Sequence, residues 1–69
     1  MLYAIAVYDL NEEERWEMIG YEIIFRNIDK AFSYAYRKTC DGPCLRYYRV
    51  EMMQEAVVRA GGLEDLIES

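Results

Sequence analysis

Apolar residues recur at helical spacing in the middle of the chain, where residues 27–39 read N-I-D-K-A-F-S-Y-A-Y-R-K-T. The apolar positions follow the i, i+3, i+4, i+7, i+8 pattern of one face of an amphipathic helix. They are Ile28, Ala31, Phe32, Ala35 and Tyr36. Asn27 can cap the first turn, and Gly42-Pro43 can end the helix. We expect the apolar stripe to face the core and the rest of the chain to be built around this helix.

Two further stretches have the pattern of β-strands. Residues Leu2 to Tyr8 form a short apolar run without polar alternation, which is typical of a central strand that is buried on both faces. Residues Leu45 to Met52 mix polar and apolar side chains on both faces, which favours an edge strand.

Residues 16–25, W-E-M-I-G-Y-E-I-I-F, fit two interpretations. Their β-branched and aromatic content favours a strand antiparallel to the first, with Ile19, Tyr21, Ile23 and Phe25 on one face. Alternatively, Asn11 and Glu14 resemble the capping box of a helix that continues through these residues. Gly20 weakens the helix, so we favour the strand.

The resulting fold class is α+β, with residues 1–69 forming a single small domain. A small antiparallel sheet carries the main helix on one face in the order ββαβ, followed by a short C-terminal helix. The alternative for residues 16–25 gives βααβα. Residues 53–60 either extend the third strand or form a short helix. The face of the sheet opposite the main helix stays open unless a second subunit or a target covers it.

The residue types present argue against catalysis. Histidine is absent, which removes the commonest general base and most catalytic zinc sites. Cys40 and Cys44 alone cannot complete a zinc site within one chain. They are interpreted as free thiols, with a disulfide or a metal shared between subunits as alternatives. We therefore expect a non-enzymatic protein with no cofactor and no metal site.

Charge is distributed unevenly along the chain. The formal net charge is −5, with the acidic residues concentrated towards both ends and the basic residues in the middle. An acidic stretch followed by aromatic residues predicts a surface for a basic or nucleic-acid-binding protein partner, because spaced carboxylates can imitate a row of phosphates. The candidate partner-binding residues are Asp9, Glu12, Glu13, Glu14, Trp16, Glu17, Tyr47 and Tyr48.

A second hypothesis places single-stranded nucleic acid on the third strand, where arginine and tyrosine alternate. The candidate residues are Arg37, Lys38, Arg46, Tyr48 and Arg49. The negative net charge makes direct binding of nucleic acid the weaker alternative. A third hypothesis is a structural homo-oligomer.

Size and aromatic content bear on partners and location. A chain of 69 residues has a marginal core, which homodimerisation would extend. Its seven tyrosines exceed the needs of such a core and favour protein interfaces. The apolar N-terminal run is too short to span a membrane and lacks the basic segment of a secretory signal, so we expect a soluble, cytoplasmic protein without membrane contacts.

The order of the Y-E-I-I-F strand, the N-I-D-K-A-F-S-Y-A-Y helix and the R-Y-Y-R-V-E strand resembles small acidic proteins that bacteriophages make during host takeover. The resemblance covers roughly residues 16–52 and rests on layout, with no diagnostic motif. It implies binding and inhibition of a host protein such as RNA polymerase or a nucleoid protein, in some cases by mimicry of DNA.

Overall fold

A three-stranded antiparallel sheet organises the computed structural model, which describes residues 1–68. The central strand is Leu2–Leu10 (β1), flanked by Trp16–Phe25 (β2) and Arg46–Met53 (β3). The central position of the apolar run and the edge position of the arginine- and tyrosine-rich strand are both confirmed. Within residues 1–68, no helix has the length and apolar character needed to cross a membrane.

The connection between β1 and β2 explains why residues 11–16 also resembled the start of a helix. The Asn11 side chain does cap backbone groups, but those of a hairpin turn, since its Oδ1 accepts the N–H groups of Glu13 and Arg15 at 2.9 and 3.0 Å. Glu14 has a positive φ of 62°, which ends the turn and returns the chain into β2. The strand interpretation is confirmed, and the helical alternative is wrong.

The main helix is Ile28–Asp41 (α1), and its ends are those predicted. The N-cap Asn27 accepts the N–H of Lys30 at 3.0 Å through Oδ1. At the other end Gly42 donates its N–H to the Lys38 carbonyl at 2.8 Å. A Cβ at Gly42 would lie 2.7 Å from that oxygen, so a residue without a side chain closes the helix here.

The side of α1 that faces the sheet differs from the prediction. The helix packs through Ala31 and Ala35, which are 0% and 6% exposed. Ile28, Phe32 and Tyr36 are 42%, 56% and 75% exposed, so their expected core position is wrong. Small side chains let the helix backbone come close to the sheet, and the larger apolar side chains are left on its flank, beside β3.

The sheet buries side chains on both faces. On the first face α1 covers a core that includes Ile5, Phe25 and Tyr48. On the second face the C-terminal segment, made of Glu55–Ala60 (α2) and a 3₁₀ turn at Glu64–Leu66, covers only one end of the sheet. The second-face core residues are Leu2, Ala4, Ile24 and Val58. The second face is therefore half covered, where the sequence predicted it open.

Two register shifts in the β1–β2 ladder redistribute the side chains of β2. Ile23 and Phe25 pack on the first face, but Tyr21 packs on the second face with Ile24, which corrects the predicted alternation. Gly20, beside the second shift, has a φ of 151°, which side-chain-bearing residues rarely adopt. As a result of the two shifts, Met18 and Trp16 lie on the second face at the hairpin end of the sheet.

Candidate functional site

The hairpin end of the second face carries a group of partly or largely exposed aromatic and apolar side chains. They come from adjacent positions on all three strands, because Tyr8 pairs with Met18 on one side and with Tyr47 on the other. We call this group the aromatic patch; it consists of Tyr8, Leu10, Trp16, Met18 and Tyr47. It lies at the end of the second face that the C-terminal segment leaves uncovered.

Ring contacts fix the geometry of the patch. Tyr8 and Tyr47 stack in parallel with their centroids 4.9 Å apart, and the Trp16 ring meets Tyr47 edge-on at 4.8 Å. Each such aromatic pair contributes about 0.5–1.5 kcal/mol beyond its buried area. Tyr47 thus lies between two partners, while Trp16 keeps 47% of its surface exposed. The cluster is ordered by its own contacts and still accessible.

Glu51 anchors the patch to the rest of the second face. Its two carboxylate oxygens accept the hydroxyl groups of Tyr8 and Tyr21 at 2.9 and 3.0 Å. The hydrogen bond to Glu51 raises the pKa of Tyr8, and burial followed by the same kind of hydrogen bond raises the pKa of Tyr21. Both phenols remain neutral donors at physiological pH, which holds the Tyr8 ring in place.

Four carboxylates surround the hairpin next to the patch; we call them the hairpin carboxylates. They are Glu12, Glu13, Glu14 and Glu17. The first three lie, together with Asn11 and Arg15, in the loop that joins Leu10 to Trp16. Glu17 points to the first face but reaches back to the loop, where Asn11 donates a long, 3.4 Å hydrogen bond to it. All four are exposed, and none takes part in the ion pairs formed within residues 1–68.

Asp9 has a different role from the one predicted for it. It lies opposite Arg46, which donates from Nε and Nη2 to its two oxygens at 2.6 and 2.9 Å. These bonds lower the pKa of Asp9 and raise that of Arg46. Because side chains alternate along β1, this ion pair is on the first face, away from the aromatic patch. Asp9 and Arg46 are therefore paired with each other, and Asp9 lies apart from the aromatic patch.

The remaining predicted residues are separated by the fold. Tyr48 is only 9% exposed and packs beneath α1, so it is not available to the patch. Lys38 on α1 pairs with Glu22 at 3.7 Å and lies over the Tyr34 and Tyr48 rings. Arg37 lies over Tyr34 on the same side. Arg49, by strand alternation, lies on the second face. Four of the five residues of the nucleic-acid hypothesis thus lie on the first face, and Arg49 lies on the second. On the first face Arg46 is paired with Asp9, and Tyr48 is covered by α1.

The two cysteines lie at the end of α1 and in the loop before β3. Cys40 and Cys44 are exposed free thiols, in agreement with the favoured interpretation. Among residues 1–68 there is no cluster of three or more potential histidine, cysteine or carboxylate ligands.

Tyr34 makes the stability of the fold sensitive to high pH. Burial, and then donation of its hydroxyl group to the Glu22 carboxylate, raise its pKa to about 12 from an ordinary 10.0. The neutral phenol stabilises the folded state fully below pH 10.0, and this contribution disappears as the pH rises towards about 12. We expect Tyr34→Phe to flatten the fall in unfolding free energy across that interval, measured by urea denaturation at each pH. Tyr36→Phe, at a 75% exposed position of the same helix, is the control and should leave the fall unchanged.

Three members of the patch, Tyr8, Leu10 and Met18, were not among the predicted site residues. Tyr8 and Leu10 lie at the even-numbered positions of β1 that share one face, and Met18 follows Trp16 by two residues in β2. This alternation was readable in the sequence. What was missing was the strand register, which brings the three positions together, and the position of the C-terminal segment, which leaves them uncovered.

Comparison with known proteins identifies no relative. No protein-family model matches the chain, and neither the curated proteins nor the solved structures give a significant match.

Proposed function

We propose that this protein is a non-enzymatic binding module that docks on a basic, nucleic-acid-associated protein and occludes its nucleic-acid site. The observation that carries the proposal is the partly exposed Tyr8–Tyr47–Trp16 ring cluster directly beside the hairpin carboxylates. Tyrosine and tryptophan are enriched at the energetic centres of protein interfaces. Unpaired carboxylates at the rim attract and orient a basic surface.

Charge pairing in the fold supports a specific role for the hairpin. Four of the nine acidic residues outside the hairpin form ion pairs, as when Glu55 pairs with Arg26 and Arg59. None of the four adjacent hairpin carboxylates takes part in an ion pair within the described part of the chain. They form a local negative field that a basic partner can complement.

The backbone conformation of the hairpin also supports a functional role for its glutamates. Glu14 occupies a left-handed conformation, with a φ of 62°, in which glycine would be the unstrained residue. A glutamate there costs stability and adds a charge to the loop. Strained backbone conformations are found most often at functional sites. Here the strained residue carries one of the four hairpin carboxylates.

The electrostatic part of the proposal predicts an effect on association. Glu12→Gln with Glu13→Gln removes two charges from the loop while leaving Glu14 and its turn intact. We expect the association rate with the captured partner to fall roughly tenfold at low salt, since steering by charge acts on encounter. The measurement is surface plasmon resonance with the protein that wild type retains from an extract of the source organism.

A matched control separates a local effect from a loss of net charge. Glu64→Gln with Asp65→Asn removes the same charge from exposed residues of the C-terminal 3₁₀ turn, at the covered end of the sheet. This variant should associate like wild type, and nucleic acid should compete with both. Equal rates for the two double variants, or binding that nucleic acid does not displace, would contradict the proposal.

A further inference from the structure

The open side of β3, together with the flank of α1, forms a second apolar surface, distinct from the aromatic patch. We call it the helix–edge surface; it consists of Ile28, Phe32, Tyr36, Val50 and Met52. The three helix residues follow one another at intervals of four, and Met52 beside them is 69% exposed. A groove of about 560 Å³ separates Ile28 and Phe32 from the strand.

The backbone of β3 is open at the same place. Tyr48 donates its N–H to Thr39 Oγ1 at 2.9 Å, so its backbone groups point away from β1. Because backbone direction alternates along a strand, Val50 and Met52 point their N–H and C=O groups to the same outer side. β3 has no neighbouring strand there, which leaves these groups available to another strand. An open strand edge and an apolar helix flank therefore coincide.

We propose that a second copy of this chain occupies the helix–edge surface, with the two β3 strands antiparallel across a two-fold axis at Val50. The charges around Val50 are self-complementary in this arrangement. Arg49 of each copy would lie opposite Glu51 of the other on the second face. Centring the axis on Arg49 or on Glu51 instead would place like charges opposite each other.

The same two-fold axis also brings the exposed flanks of the two α1 helices into contact. A two-fold axis perpendicular to the sheet keeps both copies of α1 on the first face and brings their Phe32 flanks together. Thr39 already holds the Tyr48 N–H, so the ladder between copies is short and centres on Val50, and the helix flanks supply most of the burial.

Dimerisation increases the apolar surface that this small chain buries. A 69-residue domain has a low ratio of buried to exposed surface, and covering Phe32 and Met52, which are 56% and 69% exposed, raises it. The product is a continuous six-stranded sheet with the two hairpins at opposite ends. The dimer rests on the edge of β3 and the flank of α1, so this inference does not depend on the proposed function.

Sedimentation equilibrium tests the dimer with charge variants. Wild type should have twice the chain mass of 8.2 kDa. Arg49→Glu alone and Glu51→Arg alone should each be monomeric, because each places like charges opposite each other in the two-fold pair. Mixing the two variants should restore the dimer, since every opposed pair then has opposite charges. Circular dichroism first checks that each variant is folded, since Glu51 also accepts the Tyr8 and Tyr21 hydroxyl groups. Failure of two folded variants to dimerise when mixed, while wild type does, would overturn the register.

A second pair of variants tests the helix flank. Phe32→Glu should give a monomer with an unchanged circular dichroism spectrum, because the side chain is 56% exposed in the single copy. Ile19→Glu, at a 52% exposed position of β2, is the control and should remain dimeric. A monomeric wild type at millimolar concentration, or a dimer that Phe32→Glu leaves intact, would overturn the proposal.

Discussion

Ile5→Ala is expected to remove about half of the free energy of unfolding and to lower the melting temperature markedly. Ile5 is fully buried on the central strand and belongs to the core beneath α1. Truncating a buried isoleucine to alanine costs about 2–5 kcal/mol. A chain of this length has a total stability of only ~3–10 kcal/mol, so the loss is about half of it. Thermal and urea unfolding followed by circular dichroism measure the effect.

Ile19→Ala is the matched control for this substitution. It removes the same atoms from a position that is 52% exposed in β2. Exposed positions of this kind change stability by about 0.5 kcal/mol or less. Similar melting curves for the two variants would mean that Ile5 is not in the core, and the arrangement of α1 on the sheet would then be wrong.

The second large effect is expected at Trp16. Trp16→Ala removes an exposed ring that contacts Tyr47 only by its edge, so folding should tolerate the change. A tryptophan at the centre of a protein interface contributes ~2 kcal/mol or more, which corresponds to about thirtyfold in affinity. We expect the lower affinity to result from faster dissociation. Neutralising Glu12 and Glu13 should instead slow association.

Val57→Ala serves as the control for Trp16→Ala. Val57 is a 54% exposed apolar residue of α2, in the C-terminal segment that covers the other end of the second face. Its loss should leave both rate constants unchanged. If Trp16→Ala dissociated no faster than Val57→Ala, the aromatic patch would not be the centre of the interface.

The strand order could be predicted because local signals and burial agree. The run from Leu2 to Tyr8 is apolar on both faces, and only the centre of a small sheet covers both faces. The β3 sequence mixes charge on both faces, as expected at an edge. Asn27 and Gly42 delimit α1 by local hydrogen bonds, which depend little on the rest of the fold.

The orientation of α1 could not be predicted from its periodicity. The stripe of large apolar residues and the pair Ala31 and Ala35 overlap on the helix, and both fit helical spacing. Packing selected the small residues because they allow a close approach to the sheet, and it left Phe32 on the flank. Two alanines four residues apart were the signal in the sequence for this alternative.

The candidate site was predictable only in part. Trp16, Tyr47 and three hairpin glutamates are neighbours because a hairpin joins them, and a hairpin is a local feature. Tyr48 and Asp9 were misplaced since their surroundings depend on long-range pairing, Tyr48 with α1 and Asp9 with Arg46. The register shifts in β2 reversed the side of Tyr21, and no residue pattern fixes such a shift.

Site-specific photocrosslinking tests the central claim most directly, which is that the aromatic patch and the hairpin carboxylates contact a basic protein. A photoreactive phenylalanine analogue at Met18 lies within the patch, and one at Val57 lies on the C-terminal segment. The proposal predicts one protein adduct from position 18 in an extract of the source organism, lost when Glu12 and Glu13 are neutralised, and none from position 57. The absence of an adduct at position 18, or equal adducts at both positions, would contradict it.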